Sequence, residues 1–179
     1  GYTSHFKVLY WPLRLLSKNL LPFVPLGLQA RLDVVPVDYV TESIVRYMKL
    51  ENKPERILHI TSGIGNEVRI TELLKDAHNI AQIRRRPVLP MFLFDVLRQS
   101  FLRRIFSKEF WQTCDVANPY YYYLKGTGVR FDARASDRAL AELGIKKPVW
   151  QEYKKEILSF CKRSHWGRRI HQPIHTFYE

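Results

Sequence analysis

Apolar positions fall into helical stripes separated by short apolar runs. Phe6, Leu9, Tyr10, Leu13, Leu16 and Leu20 recur at helical spacing, with Lys7, Arg14 and Lys18 opposite, which predicts a helix over 6–21. Pro12 either kinks that helix or marks its first turn. "PFVPLG" at 22–27 ends it, and residues 31–36 read as a strand. Asp38 is placed to cap a helix running to about residue 50, with Val40, Ile44, Tyr47 and Met48 towards the core. "RILHITSG" at 56–63 reads as a buried strand leaving into a glycine turn, with His59 a core histidine, and a helix follows over about 69–83.

Residues 88–111 read as one aromatic-rich helix, with Phe94, Leu97, Phe101 and Ile105 on one face and Arg98 intruding near the stripe. "VRFDA" at 129–133 is a short strand that pairs with 31–36. Ser136 caps a helix that Gly144 ends at C′, and Pro148 opens a last helix carrying Trp150, Tyr153, Ile157 and Cys161. Strands alternating with helices give an α/β chain, helix-rich, with about three short strands and six helices. So few strands do not close a doubly wound sheet. "RILHITS" is apolar on both faces, as inside a parallel sheet, yet its neighbours are missing from this chain. The expected organisation is the second half of a larger α/β unit over 1–166, followed by a basic tail at 167–179.

The net charge of +12 sharpens this picture because it is concentrated. Residues 84–108 hold seven arginines and lysines against Asp95, and 154–175 hold six against Glu156. Such segments attract phosphates: nucleic acid, anionic lipid, or a phosphorylated cofactor or carrier. No apolar run spans a bilayer and the start lacks signal-peptide order. Cys114 and Cys161 show no metal or redox spacing, so two buried, reduced thiols in the cytoplasm are expected.

"ARLDVVPVDYVTESIV" followed by "RILHITSGIGNEVRITELL" resembles the C-terminal half of an extended short-chain dehydrogenase/reductase. It is most similar to the fatty acyl-CoA and thioester reductases, the male-sterility-type branch. The opening "GYTSHFKVLYWPLRLL" is similar to the segment after that family's sixth sheet strand. "GVRFDARASDRALAELGIKKPVWQEYKKEILSFC" resembles its late "F-D…L…G…P" region. The resemblance spans roughly 1–163 and implies the substrate-binding part of a Rossmann-type reductase whose nucleotide-binding half is elsewhere in the protein.

The departures agree with that division. No G-x-x-G-x-x-G or G-x-G-x-x-G dinucleotide turn occurs; Gly63-Ile64-Gly65 and Gly126-Thr127-Gly128 read as plain turns. The family's catalytic Tyr-x-x-x-Lys string does occur as Tyr121 to Lys125, but between Asn118-Pro119 and Gly126, and downstream of where the family places it. It reads as an aromatic cluster before a turn. The six histidines show no zinc spacing. No catalytic, cofactor-binding or metal-binding residue is therefore expected in this chain.

What the resemblance implies is an acyl pocket for an enzyme reducing fatty acyl-CoA or a carrier-bound acyl thioester to aldehyde or alcohol, with NADPH or NADH bound by the other half. Tyr2, His5, Phe6 and Tyr10 would approach the reacting end. Phe92, Phe94, Leu97 and Phe101 would flank the tail, and Arg84, Arg85, Arg86 and Arg98 would meet the CoA or carrier phosphate. Partners expected are the nucleotide-binding half, the acyl-CoA or acyl carrier, a membrane surface met peripherally, and a second copy; no specific nucleic acid is expected. Two alternatives stand beside this: a sugar or steroid epimerase or dehydrogenase of the same superfamily, and a basic module that binds membrane surface or nucleic acid.

Overall fold

The first apolar stripe forms helix α1, Tyr10–Ser17, which buries Leu13 and Leu16. In this computed structural model residues 9–99, 102–116 and 118–167 are described. Pro12 sits in the first turn of α1, where its missing N–H removes no helical bond. Among the described residues the chain is mixed α/β, with eight α-helices and four strands of two or three residues. The expected three strands and six helices undercount both.

Strand β1 (Val24–Leu26) pairs in parallel with β4 (Val88–Pro90), Val24 opposite Val88. Strand β2 (Arg31–Leu32) pairs antiparallel with β3 (Val68–Arg69). The predicted 31–36 strand is thus only two residues long, and its partner is β3 in place of 129–133. Residues 129–133 form no ladder, and Arg130 reaches instead to the side chain of Glu67 at 2.6 Å. Strands this short do not hold by themselves; helices packed around them do.

Helix α2 is Val37–Met48. Its N-cap is Pro36, and Asp38 makes no capping bond. A carboxylate in the first turn still favours the positive end of the helix dipole. The orientation agrees with expectation at Tyr47 and departs from it elsewhere. Tyr39, Ser43 and Tyr47 face inwards, whereas Ile44 and Met48 are turned to solvent, Met48 at 70% exposure.

Helix α3 (Ile70–Ala81) lies where its periodicity puts it. The expected single helix over 88–111 is broken into α4 (Met91–Leu97), a 3-10 turn (Leu102–Ile105) and α5 (Lys108–Val116). Pro90, in extended backbone, starts α4, and the Ser107 hydroxyl restarts the helix by accepting the Phe110 N–H. A second 3-10 turn (Asn118–Tyr120) leads into the one-turn helix α6 (Tyr121–Lys125). Helix α7 is Arg134–Glu142 and α8 is Trp150–Arg163. Ser136 lies inside α7, where its Oγ accepts the His59 N–H; Asp132 instead accepts the N–H of Arg134. Gly144, at φ +71, ends α7 as its position predicts.

The main core joins α1, α3 and α8 through Leu16, Leu73, Ala77, Trp150, Leu158 and Cys161. Asp76 is buried there; one carboxylate oxygen accepts the Trp150 indole N–H at 2.8 Å and the other the Lys154 ammonium at 3.0 Å. Burial pushes the Cys161 thiol up to about 12, which keeps it protonated and unreactive. Cys114 is only partly buried. A second, aromatic core gathers Phe23, Met91, Phe94, Phe110 and Trp111.

Residues 56–62 join no ladder. Leu58 and Ile60 pack inwards near Tyr39 and Leu140, while Ile57 is 72% exposed, so among the described residues only one side of the segment is covered. The backbone is instead pinned by side chains: the Ser62 N–H donates to Asp33 at 2.7 Å, and the Lys147 ammonium joins the Ser62 carbonyl to Asp137. His59 is exposed, its ring stacked on Phe131.

The β2–β3 clasp yields a pH prediction. The side chain of Glu67 is 6% exposed and accepts two bonds from Arg130 and one from the Gly65 N–H. The Arg130 bonds come first in holding its carboxyl down, from an ordinary 4.5 to about 2. A depressed folded value stabilises above the unfolded value and is lost as protons bind on the way down. The melting temperature of the natural chain should exceed that of Glu67→Gln above pH 4.5 and converge on it towards pH 2. A gap that stays constant across that window in paired thermal melts would rule this out.

Candidate functional site

Two neighbouring concavities share Leu16 and Val24 as lining residues. The larger is a groove of about 290 Å³. Its apolar floor comes from α1, β1, β4 and α3 through Leu16, Val24, Val88, Leu74 and Ala77. Its lip is Lys75 and the run Arg84-Arg85-Arg86. The lip exists because α3 stops at Ala81: Gln82 turns left-handed at φ 59, and three arginines follow before β4 begins. Among the described residues Lys75, Arg84 and Arg85 have no carboxylate partner. Arg86 donates to the Asn19 side chain at 2.6 Å, while its buried Nε has no partner. An apolar floor under unpaired guanidinium groups suits an amphipathic anion, its phosphate or carboxylate at the lip.

The smaller space is an apolar cavity of about 70 Å³ between α1, α4, α5 and α6. Trp11, Leu15, Phe23, Phe94, Tyr121 and Leu124 line most of it. Trp11 stacks on Tyr120 with centroids 5.6 Å apart, which closes one end. Arg98 stands at the wall with its guanidinium 6.0 Å from the Phe94 ring and 5.7 Å from the Tyr121 ring. That placement accounts for its intrusion near an apolar stripe: the cation rests on aromatic faces.

The Tyr121–Lys125 string occupies α6, and its chemistry runs opposite to that of a catalytic pair. A lysine that activates a tyrosine lowers the phenol's pKa. Here the Tyr121 hydroxyl donates to Asp95 at 2.6 Å, and that bond holds the phenol above its ordinary value. The Lys125 ammonium lies over the Tyr121 ring, 5.6 Å from its centroid. The Tyr121–Asp95 bond latches α6 to α4.

Of the residues expected at an acyl pocket, Phe94 and Arg98 line the apolar cavity and Arg84, Arg85 and Arg86 line the groove. Leu97 packs on the aromatic core beside Phe94. Phe92 points outwards at 67% exposure. Tyr10 packs against the main core, where burial pushes its phenol up to about 12. Tyr2, His5, Phe6 and Phe101 lie outside the described residues. Sequence reasoning missed Trp11, Tyr120, Cys114 and the latch residue Asp95. The available signal was the aromatic density of "NPYYYYLK", which reads as a cover over something apolar. Among the described residues no group of three or more His, Cys, Asp or Glu could hold a metal ion. No family model, curated protein or solved structure matches this chain.

Proposed function

We propose that this chain is the substrate-binding part of an NAD(P)H-dependent reductase that converts fatty acyl-CoA or a carrier-bound acyl thioester to aldehyde or alcohol. The observation that supports it is the adjacency of the two spaces: an arginine-lipped groove that shares Leu16 and Val24 with a cavity walled by aromatic rings. In this reading the cofactor phosphates of the thioester meet Arg84 and Arg85. The acyl chain lies on Leu74, Ala77 and Leu16 and enters the cavity towards Phe94. Burial of each methylene contributes about 0.8 kcal/mol, so the floor supplies most of the affinity and the arginines select the carrier. Hydride transfer and proton exchange belong to a nucleotide-binding half that also covers the exposed Ile57 strip. The enzyme works in the cytoplasm.

Calorimetric titration of the chain tests the reading. A long-chain acyl-CoA is expected to bind, with a Kd at least tenfold lower than CoA without the chain, since a few buried methylenes suffice for that ratio. Arg84→Ala and Arg85→Ala should each weaken acyl-CoA about tenfold, as for a lost charge-assisted bond, and leave a fatty alcohol unchanged. Phe94→Trp should shift the preferred chain length downwards. NADPH alone should not bind. Equal affinity for CoA and acyl-CoA, or micromolar NADPH binding, would overturn the assignment.

A further inference from the structure

Helix α4 is apolar nearly all round, and among the described residues only one side of it is buried. Met91 and Phe94 are buried and line the apolar cavity. Phe92, Leu93 and Val96 lie within an arc of about 100° on the opposite side and are all exposed. Ile105, in the 3-10 turn packed beside α4, adds exposed apolar surface, at 60%. Clustered apolar exposure of this kind marks a place where something binds.

The flanking charge says what binds. Arg84, Arg85, Arg104 and Lys108 are exposed in the segments that enter and leave this surface. Asp95 is the only acidic residue from 84 to 108, and its carboxylate is held by the Tyr121 hydroxyl on the inner side. An apolar strip with a mainly cationic rim, in which exposed Glu109 beside Lys108 is the exception, is complementary to an anionic bilayer: rings and aliphatic side chains enter the acyl boundary while the cations meet the headgroups. Another outward apolar strip, Ile44 and Met48 on α2, differs in this respect. Its flank carries both signs, with Glu42 paired to Arg46 at 2.6 Å, as a protein-facing surface does.

We propose that the outer face of α4, with Ile105, is a peripheral docking surface for anionic lipid membrane. No described helix is long and apolar enough to cross a bilayer, so the contact is interfacial. Because the inner face of the same helix walls the apolar cavity, docking sets that cavity one helix thickness from the membrane. The proposal stands on α4 and its rim and does not rest on the reductase reading.

The test is co-sedimentation of the full chain with phosphatidylcholine vesicles, with and without phosphatidylserine, at low and high salt. Binding to the anionic vesicles is expected, weakened by salt and nearly absent on the neutral ones. Arg84→Gln with Arg85→Gln should lower the partition about 25-fold, taking each surface cation as about fivefold. Phe92→Ser with Val96→Ser should lower it about tenfold or more with the thermal melt unchanged, because both side chains are exposed. Ile44→Ser with Met48→Ser should leave it as it was. Equal binding to neutral and anionic vesicles would overturn the proposal, as would loss of binding only in the α2 variant. So would a duplex oligonucleotide displacing the vesicles while the Phe92/Val96 variant binds like the natural chain.

Discussion

Leu158→Ala should lower the stability of this protein by about 3–4 kcal/mol, the range for a large side chain removed from a site that does not collapse. Leu158 is fully buried on α8, at the seam where that helix crosses α3. Its cluster includes the rings of Trp150 and Trp166 and the small side chain of Ala77. Trp150 is held in place by its bond to Asp76, so it cannot swing into the space vacated. Such a loss is a large share of the roughly 5–15 kcal/mol that a domain has. Urea unfolding should show a lower midpoint at constant slope. The same truncation at Leu20, 48% exposed, should stay within about 0.5 kcal/mol. A loss below about 1 kcal/mol at Leu158 would mean the α3–α8 seam is looser than its burial indicates.

Gly27→Ala should be comparably damaging by a different route. A Cβ at Gly27 would stand 2.1 Å from the carbonyl oxygen of Lys125, and no side-chain rotation relieves a contact with backbone. The Gly27 N–H also donates to Leu124 at 2.7 Å, so α6 must leave and take that bond with it. The seam is tight from both sides, since a Cβ at Gly126, which adopts φ +81, would meet the Ala30 nitrogen at 2.9 Å. We expect about 3 kcal/mol from overpacking together with the lost hydrogen bond. Displacing α6 also withdraws Tyr121 and Leu124 from the apolar cavity. The variant should therefore bind a hydrophobic dye that the natural chain binds less, and lose acyl-CoA affinity with it. Gly128→Ala is the control, because nothing lies within 4 Å of its added carbon. Equal stability of the two variants would show that the seam opens freely.

The fold was legible in unequal parts. Helices α3, α7 and α8 follow from apolar spacing and local stop signals, and Gly144 ends α7 where a left-handed residue is required. The arginine run at 84–86 stood out as a concentration of positive charge before any geometry was known, because charge density is a property of the chain. The strand expected at 56–62 does not form: the segment joins no ladder, and Ile57 stays exposed among the described residues.

What the sequence by itself determined was local: where helices run and stop, where positive charge gathers, and that a dinucleotide glycine turn is absent. These rest on interactions between residues a few positions apart, so their signals are written contiguously. Tertiary structure alone decided the rest. The pairings Val24 with Val88 and Leu32 with Val68 join segments too short to show a period. Tyr47 was expected inside, but the inward turn of Tyr39 and Ser43 was not, since a helix records that it has two faces and not which one meets its neighbours. The role of Tyr121 depended on Asp95 lying within 2.6 Å, across a separation of 26 residues. That bond converts a string spaced like a catalytic pair into a latch, because a phenol that donates to a carboxylate is harder to ionise.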